Sequence, residues 1–156
     1  MFTPLIKRSL VFFALVLPLF ACRMLGVIAL PGESLSNTYG NGEYHPYLME
    51  ELEAFRLQGG SGGWPYNNRD GWAMTSYHII QDITEYQIVR SDIEAYSDAE
   101  YYDQTSTLLM ATQVPILMGH LRQTSSGATV IENPHPFIYT SENGQNFSFA
   151  HNGDVD

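Results

Sequence analysis

One cysteine, Cys22, and one lysine, Lys7, are all that 156 residues contain of those two types. A single thiol excludes an intrachain disulfide and any cysteine-rich zinc cage. Basic residues number 7 against 17 acidic ones, a formal net charge of −10. That balance argues against a nucleic-acid binder, which needs a basic face to displace phosphate counterions. The chain has no internal repeat, no heptad pattern and no low-complexity tail, which excludes a solenoid and a coiled coil. Its length suits one globular domain and is short for two.

What is present begins with a leader. Residues 1–21 read as a secretory signal: Lys7 and Arg8 precede an apolar stretch from Leu10 to Phe20, and the small residue Ala21 ends it. The stretch is shorter than the about 20 residues that span a bilayer. Extending it to Leu30 as an uncleaved anchor buries Arg23. Leu19 and Ala21 meet only half of the small-x-small cleavage pattern, whereas Leu19-Phe20-Ala21-Cys22 also resembles a bacterial lipobox, with Phe20 bulky for that motif. Either cut exposes Cys22 at the new N-terminus, removes Lys7 and Arg8, and leaves arginine as the only strongly basic side chain. Export is therefore expected, with attachment to a membrane through the N-terminus as the alternative.

Along the rest of the chain, Cys22 to Leu30 is a short apolar run bounded by Pro31-Gly32 and reads as a buried strand. The Gly, Ser and Asn-rich stretch to Tyr47 is a loop, followed to Leu57 by a helix with Leu48, Leu52, Phe55 and Leu57 on one face. Residues 61–71 form a turn-dense loop, Trp72 to Ile80 an alternating strand, and Ile88-Val89 part of another. Ser97 or Asp98 caps a helix to about Thr112, with Ala99 and Glu100 in its first turn and Leu108, Leu109 and Ala111 near its end. Val114 to Leu121 is a second buried run, and Phe137 to Tyr139 and Phe147 to Ala150 are short strands. The order of elements predicts a mixed α+β protein, a sheet covered by helices.

Several residues can carry chemistry. A thiol whose own α-amine has been freed by processing has nucleophile and base in one residue, since an amine of pKa about 7.7–8.0 accepts the thiol proton. The bland alternative for Cys22 is a small buried hydrophobe. Arg122 ends a buried run and precedes the loop from Gln123 to Gly127; its planar fork suits a carboxylate ligand, or equally a structural ion pair. His135, bracketed by Pro134 and Pro136, is a candidate ligand or base, with packing as its other role. Asn152-Gly153 after a strand is a turn signal, and the same amide and glycine N–H can converge on an oxyanion. His120, His135 and His151 match no familiar metal-ligand spacing, so neither metal nor cofactor is expected.

Taken together these motifs resemble class II glutamine amidotransferases of the N-terminal-nucleophile hydrolase group. The resemblance is carried by Cys22-Arg23 with Gly26, Asp70-Gly71-Trp72, Gly119-His120-Leu121-Arg122 with Gly127, Asn133-x-His135-Pro136-Phe137, and His151-Asn152-Gly153. It is strongest with the small stand-alone subgroup that opens on Cys-Arg. It implies a four-layer αββα sandwich over residues 22–156, in which Cys22 attacks the side-chain amide of glutamine or a γ-glutamyl compound and its amine serves as base, then acid. By the same resemblance Arg122 holds the substrate α-carboxylate, and Asn152 and the Gly153 N–H stabilise the tetrahedral intermediate. Ser125 stands where many members have a threonine near the substrate, Ser126 where many have histidine, and Ala73 where glycine often follows the tryptophan. Asp70-Gly71-Trp72 is expected to be scaffold.

Two features depart from the family. Its members usually carry Met directly before the cysteine rather than a 21-residue leader, and their domain continues beyond the segment that matches Gly153. The resemblance thus implies a domain incomplete at its C-terminus, with an exposed apolar surface. Two other readings stand beside it: an acyl-amide hydrolase of the bile-salt or penicillin-V type, which lacks the Gly-His-x-Arg and Asn-x-His-Pro-Phe segments, and a lipid-anchored non-catalytic domain whose acylated amine is no longer a base.

Overall fold

A computed structural model describes residues 22–37, 45–60, 68–80, 83–111, 114–124 and 127–152. Residues 1–21, read above as a leader, and Ser125, Ser126 and Gly153 lie outside the described residues. Strands β1 (Arg23–Ile28), β2 (Trp72–Ile80), β3 (Ile83–Ser91) and β4 (Ile116–Leu121) form an antiparallel sheet in the order β1-β4-β2-β3. Helices α1 (His45–Gln58) and α2 (Tyr101–Met110) accompany it. Strands β5 (Phe137–Thr140) and β6 (Asn146–Phe149) pair as a separate two-stranded ribbon. The α+β class read from the order of elements holds.

Period-two alternation assigns the two faces of the sheet. The register aligns Arg23, Leu121, Trp72 and Ser91 in one row and Leu25, Gly119, Met74 and Val89 in the next, all on one face. This face meets the helices, and its apolar residues join Leu48, Leu52, Phe55, Tyr101, Leu108 and Leu109 in a single core. Gly119 makes room for Phe55: a Cβ there would lie 2.9 Å from the Phe55 ring and 2.9 Å from Met74 Sδ. Helix α1 buries Leu48, Leu52 and Phe55 as the 3.6-residue period demands. Leu57, expected with them, is exposed, because two residues beyond Phe55 is more than half a turn away.

Helix α2 starts later than the capping signal suggests. The Asp98 carboxylate is shared: Oδ1 accepts the Glu100 N–H at 2.9 Å, and Oδ2 accepts the Trp72 indole N–H at 2.9 Å. Asp98 therefore holds a turn in which Ala99 and Glu100 precede the helix, and Tyr101 opens it. The Trp72 ring meets Tyr101 edge-on at 4.9 Å, and the Tyr101 hydroxyl donates to the Leu52 carbonyl at 3.1 Å, so one pair of aromatics ties both helices to the sheet. Thr112 lies outside the described residues.

The opposite face carries Met24, His120, Ala73 and Arg90 in one row, then Gly26, Met118, Thr75 and Ile88, then Ile28, Ile116, Tyr77 and Tyr86. It is covered only in part. Ala73 and Thr75 are buried, whereas Gly26 and Ile28 are exposed and Ile116 and Met118 half-buried. The two apolar runs expected to be buried throughout are thus buried on alternate residues over part of their length, and Trp72 to Ser76, expected to alternate, is buried throughout. Which face is covered decides both departures.

Trp72→Phe keeps the aromatic packing and leaves a buried carboxylate oxygen without its donor. A loss of about 1–3 kcal/mol in unfolding free energy is expected, measured by urea denaturation of the variant and the parent.

Candidate active site

Cys22 immediately precedes β1, and Arg122 immediately follows β4. Since Arg23 pairs with Leu121, the next position brings Cys22 opposite Arg122, and alternation turns both toward the face that bears His120. Both are buried. The Cys22 sulfur lies against the backbone of the next residue of the β4 exit: the Gln123 N–H donates to Sγ at 3.4 Å, and the thiol donates to the Gln123 carbonyl at 3.6 Å.

The exit of β4 is pinned by the residues before β2. The Arg122 N–H donates to the Gly71 carbonyl at 2.9 Å, the Asp70 N–H to the Arg122 carbonyl at 3.1 Å, and the Thr124 N–H to Asp70 Oδ2 at 2.7 Å. Two consecutive residues before β2 thereby bond one residue after β4, the pattern of a bulge at the entry to β2. Glycine is required at its bend: Gly71 has φ +105°, and a Cβ would fall 2.5 Å from the Ser91 carbonyl oxygen. Asp70-Gly71 is scaffold for the chain that carries Arg122. Gly127, at φ +81°, comes close to the same arginine, its Cβ position 3.7 Å from Arg122 Nη2.

A crossing segment covers the sheet beside this site. The His135 N–H donates to His120 Nδ1 at 3.1 Å, and Arg90 donates from Nε to the Pro134 carbonyl at 3.1 Å and from Nη2 to the Pro136 carbonyl at 2.6 Å. His120 and Arg90 flank Ala73 in one row, so residues 134–136 pass over that small side chain. The His135–Pro136 peptide is cis.

From His135 the contacts run on to the ribbon. Its Nδ1 bonds the His151 carbonyl at 3.1 Å, and since a carbonyl only accepts, Nδ1 carries the proton. Ring centroids of His120 and His135 are 4.3 Å apart, as are those of His135 and His151. The imidazoles therefore stack in series instead of converging on one point, and among the described residues no group of His, Cys, Asp and Glu is arranged to hold a metal ion. His135 takes the packing role. His120 accepts on Nδ1, so its neutral form bears hydrogen on Nε2, and that buried nitrogen has no partner among the described residues.

Asn152 follows His151 at the end of the stack and is exposed. The three histidines thus link the residue proposed for an oxyanion to the strand that ends in Arg122. Sequence reasoning overlooked the Gln123 peptide, the Asp70–Thr124 bond and the grip of Arg90. The first two act through backbone groups, which no residue type announces, and Arg90 lies on a strand of which only Ile88-Val89 were recognised.

His120 and His135 stay uncharged near neutral pH. Burial, then the neighbouring His135 and His151 and then Arg122, pushes His120 down to about 3. Burial, then His151, Arg122 and Arg90, holds His135 at about 4 against the opposing bond to the His151 carbonyl. An unfolded chain protonates both near the ordinary histidine value of about 6.5. Their contribution to stability is therefore whole above pH 6.5 and is lost as the pH falls toward 4 and then 3, at up to about 1.4 kcal/mol per pH unit for each histidine. His120→Asn, which keeps an acceptor for His135, is expected to make the decline between about pH 6 and 5 shallower by about 1 kcal/mol per unit, read from urea midpoints. Compared with models of known protein families, with curated proteins and with solved structures, the chain finds no match.

Proposed function

We propose that residues 22–156 form a cysteine N-terminal-nucleophile amidohydrolase that acts on the side-chain amide of glutamine or of a γ-glutamyl compound. The observation that carries this reading is the register that sets Cys22 opposite Arg122 on one face, with Sγ against the Gln123 peptide. A nucleophile and a carboxylate-binding cation at one strand end are what the hydrolysis of a γ-amide on an α-amino acid needs. The ribbon β5–β6, held against the sheet face away from the helices, supports its assignment as part of the second sheet of an αββα sandwich.

In the proposed reaction the freed α-amine of Cys22 takes the thiol proton, and Sγ bonds to the amide carbon. Asn152 and the Gly153 N–H stabilise the resulting oxyanion, an interaction typically worth a few kcal/mol in the transition state. The C–N bond breaks as the protonated amine passes its proton to departing ammonia or amine. Water then attacks the thioester, the amine accepts its proton, and the carboxylic acid leaves with the thiol restored. Arg122 holds the substrate α-carboxylate throughout, and Ser125 contributes to the substrate loop. No cofactor takes part in this scheme.

Cys22→Ala is expected to abolish ammonia release from glutamine in the processed protein; activity retained by that variant would overturn the mechanism. Arg122→Lys keeps the charge but loses the fork, and a KM at least about tenfold higher is expected with kcat less affected. The intact mass of the mature protein checks the first step, since a free Cys22 terminus supports the enzyme and an added lipid mass supports a tethered, non-catalytic domain. Acylated amino acids hydrolysed in preference to glutamine would identify the acyl-amide hydrolase instead.

A further inference from the structure

Two successive peptides meet the Cys22 sulfur, the first through the Gln123 N–H and the second through the Gln123 carbonyl, and one short segment holds both. Before Gln123, Arg122 is fixed through its N–H to the Gly71 carbonyl at 2.9 Å and through its carbonyl to the Asp70 N–H at 3.1 Å. After it, Thr124 is fixed through its N–H to Asp70 Oδ2 at 2.7 Å. With both neighbours anchored, the Gln123 N–H is directed at Sγ, 3.4 Å away. The two groups that Gln123 offers act oppositely: its N–H favours the thiolate, whereas its carbonyl, 3.6 Å from Sγ, accepts only from the thiol.

We infer that Asp70 is a positioning residue for the nucleophile: its N–H holds the peptide that carries the Gln123 N–H, its carboxylate holds the next peptide through Thr124, and the two grips together keep the Gln123 N–H on Cys22. The inference rests on the nucleophilic role proposed for Cys22. A hydrogen bond to an ionised carboxylate is about twice as strong as one between neutral groups, so the clamp resists loosening when Sγ moves between thiol and thioester. The same carboxylate has a second, contrary influence, because a negative charge nearby disfavours a thiolate. Geometry and charge therefore push the thiol in opposite directions, and variants can separate them. Asparagine keeps an oxygen for Thr124 without the charge; alanine removes both. Thr124→Pro deletes the donor and leaves Asp70 in place.

The test is the pH dependence of iodoacetamide alkylation of Cys22, the only thiol in the chain, in the mature protein and its variants, with mass spectrometry as readout. Asp70→Ala is expected to raise the midpoint by about 0.5–1 pH unit, which makes alkylation near pH 7 roughly three- to tenfold slower. Thr124→Pro is expected to raise it similarly, the double variant no further, and Asp70→Asn to remain at or below the parent. An unchanged midpoint in both Asp70→Ala and Thr124→Pro overturns the inference, as does a downward shift in Asp70→Ala, the result of charge acting alone. Failure of the parent protein to hydrolyse glutamine is a separate outcome: it removes the proposed activity and leaves the alkylation curves in place as the measure of the clamp.

Discussion

Ala73 is the narrow point over which the far side of the molecule is built. His120 on one side of it and Arg90 on the other reach up from adjacent strands to the same three residues, Pro134 to Pro136. A larger side chain between them would lift that segment away from both sets of donors and acceptors. Among the described residues the ribbon β5–β6 shares no backbone pairing with the four-stranded sheet, and it is placed by this crossing, by the imidazole series that continues from it and by the contact of Ser148 with the Tyr77 hydroxyl. Asn152, just beyond the end of the ribbon that adjoins the crossing, is placed through the same contacts. Residues more than 70 positions apart in the chain, Ala73 and Asn152, are thus linked through one crossing.

The helix side has a different logic. There the sheet presents apolar side chains in register, and two short helices fill the rows with leucine and phenylalanine. Beside the bond from the Tyr101 hydroxyl to the Leu52 carbonyl, this side buries the Trp72–Asp98 bond. Its effect extends beyond one hydrogen bond, because Asp98 also ends the turn before α2 and Trp72 opens β2. A strand start and a helix start are fixed by the two oxygens of one carboxylate.

Most elements were legible because local period and local punctuation agree. Leu48, Leu52 and Phe55 recur at helical spacing, Trp72 to Ile80 is rich in strand formers, and Gly or Asn bounds the last two strands. Burial was less legible, because it depends on what covers each face. Gly26 and Ile28 lie in an apolar run and are exposed, since the crossing segment reaches only the opposite end of the sheet. The full length of β3 was missed because Glu85, Gln87 and Arg90 interrupt its apolar pattern, and its pairing with β2 defines it. At the candidate site, residue types pointed to Cys22, Arg122 and Asn152, and the fold brings the first two to one strand end. The peptide groups around Cys22 belong to residues chosen for their backbone position, so composition is silent about them. The histidines were visible as residues, but their stacking order follows from how three separate segments meet.

The ribbon has an outer face with its own consequence. Register places Phe137, Tyr139, Phe147 and Phe149 on one side, and they are between 43% and 63% exposed. Four aromatic rings on one short ribbon make a short-range adhesive patch on a chain whose net charge is −10. Two such molecules repel one another at distances beyond the patch and attract only on close approach. The balance is colloidal rather than structural: at physiological ionic strength charge is felt over about 8 Å, at 1 M over about 3 Å. Added salt therefore shortens the reach of the repulsion toward the contact range of the rings themselves.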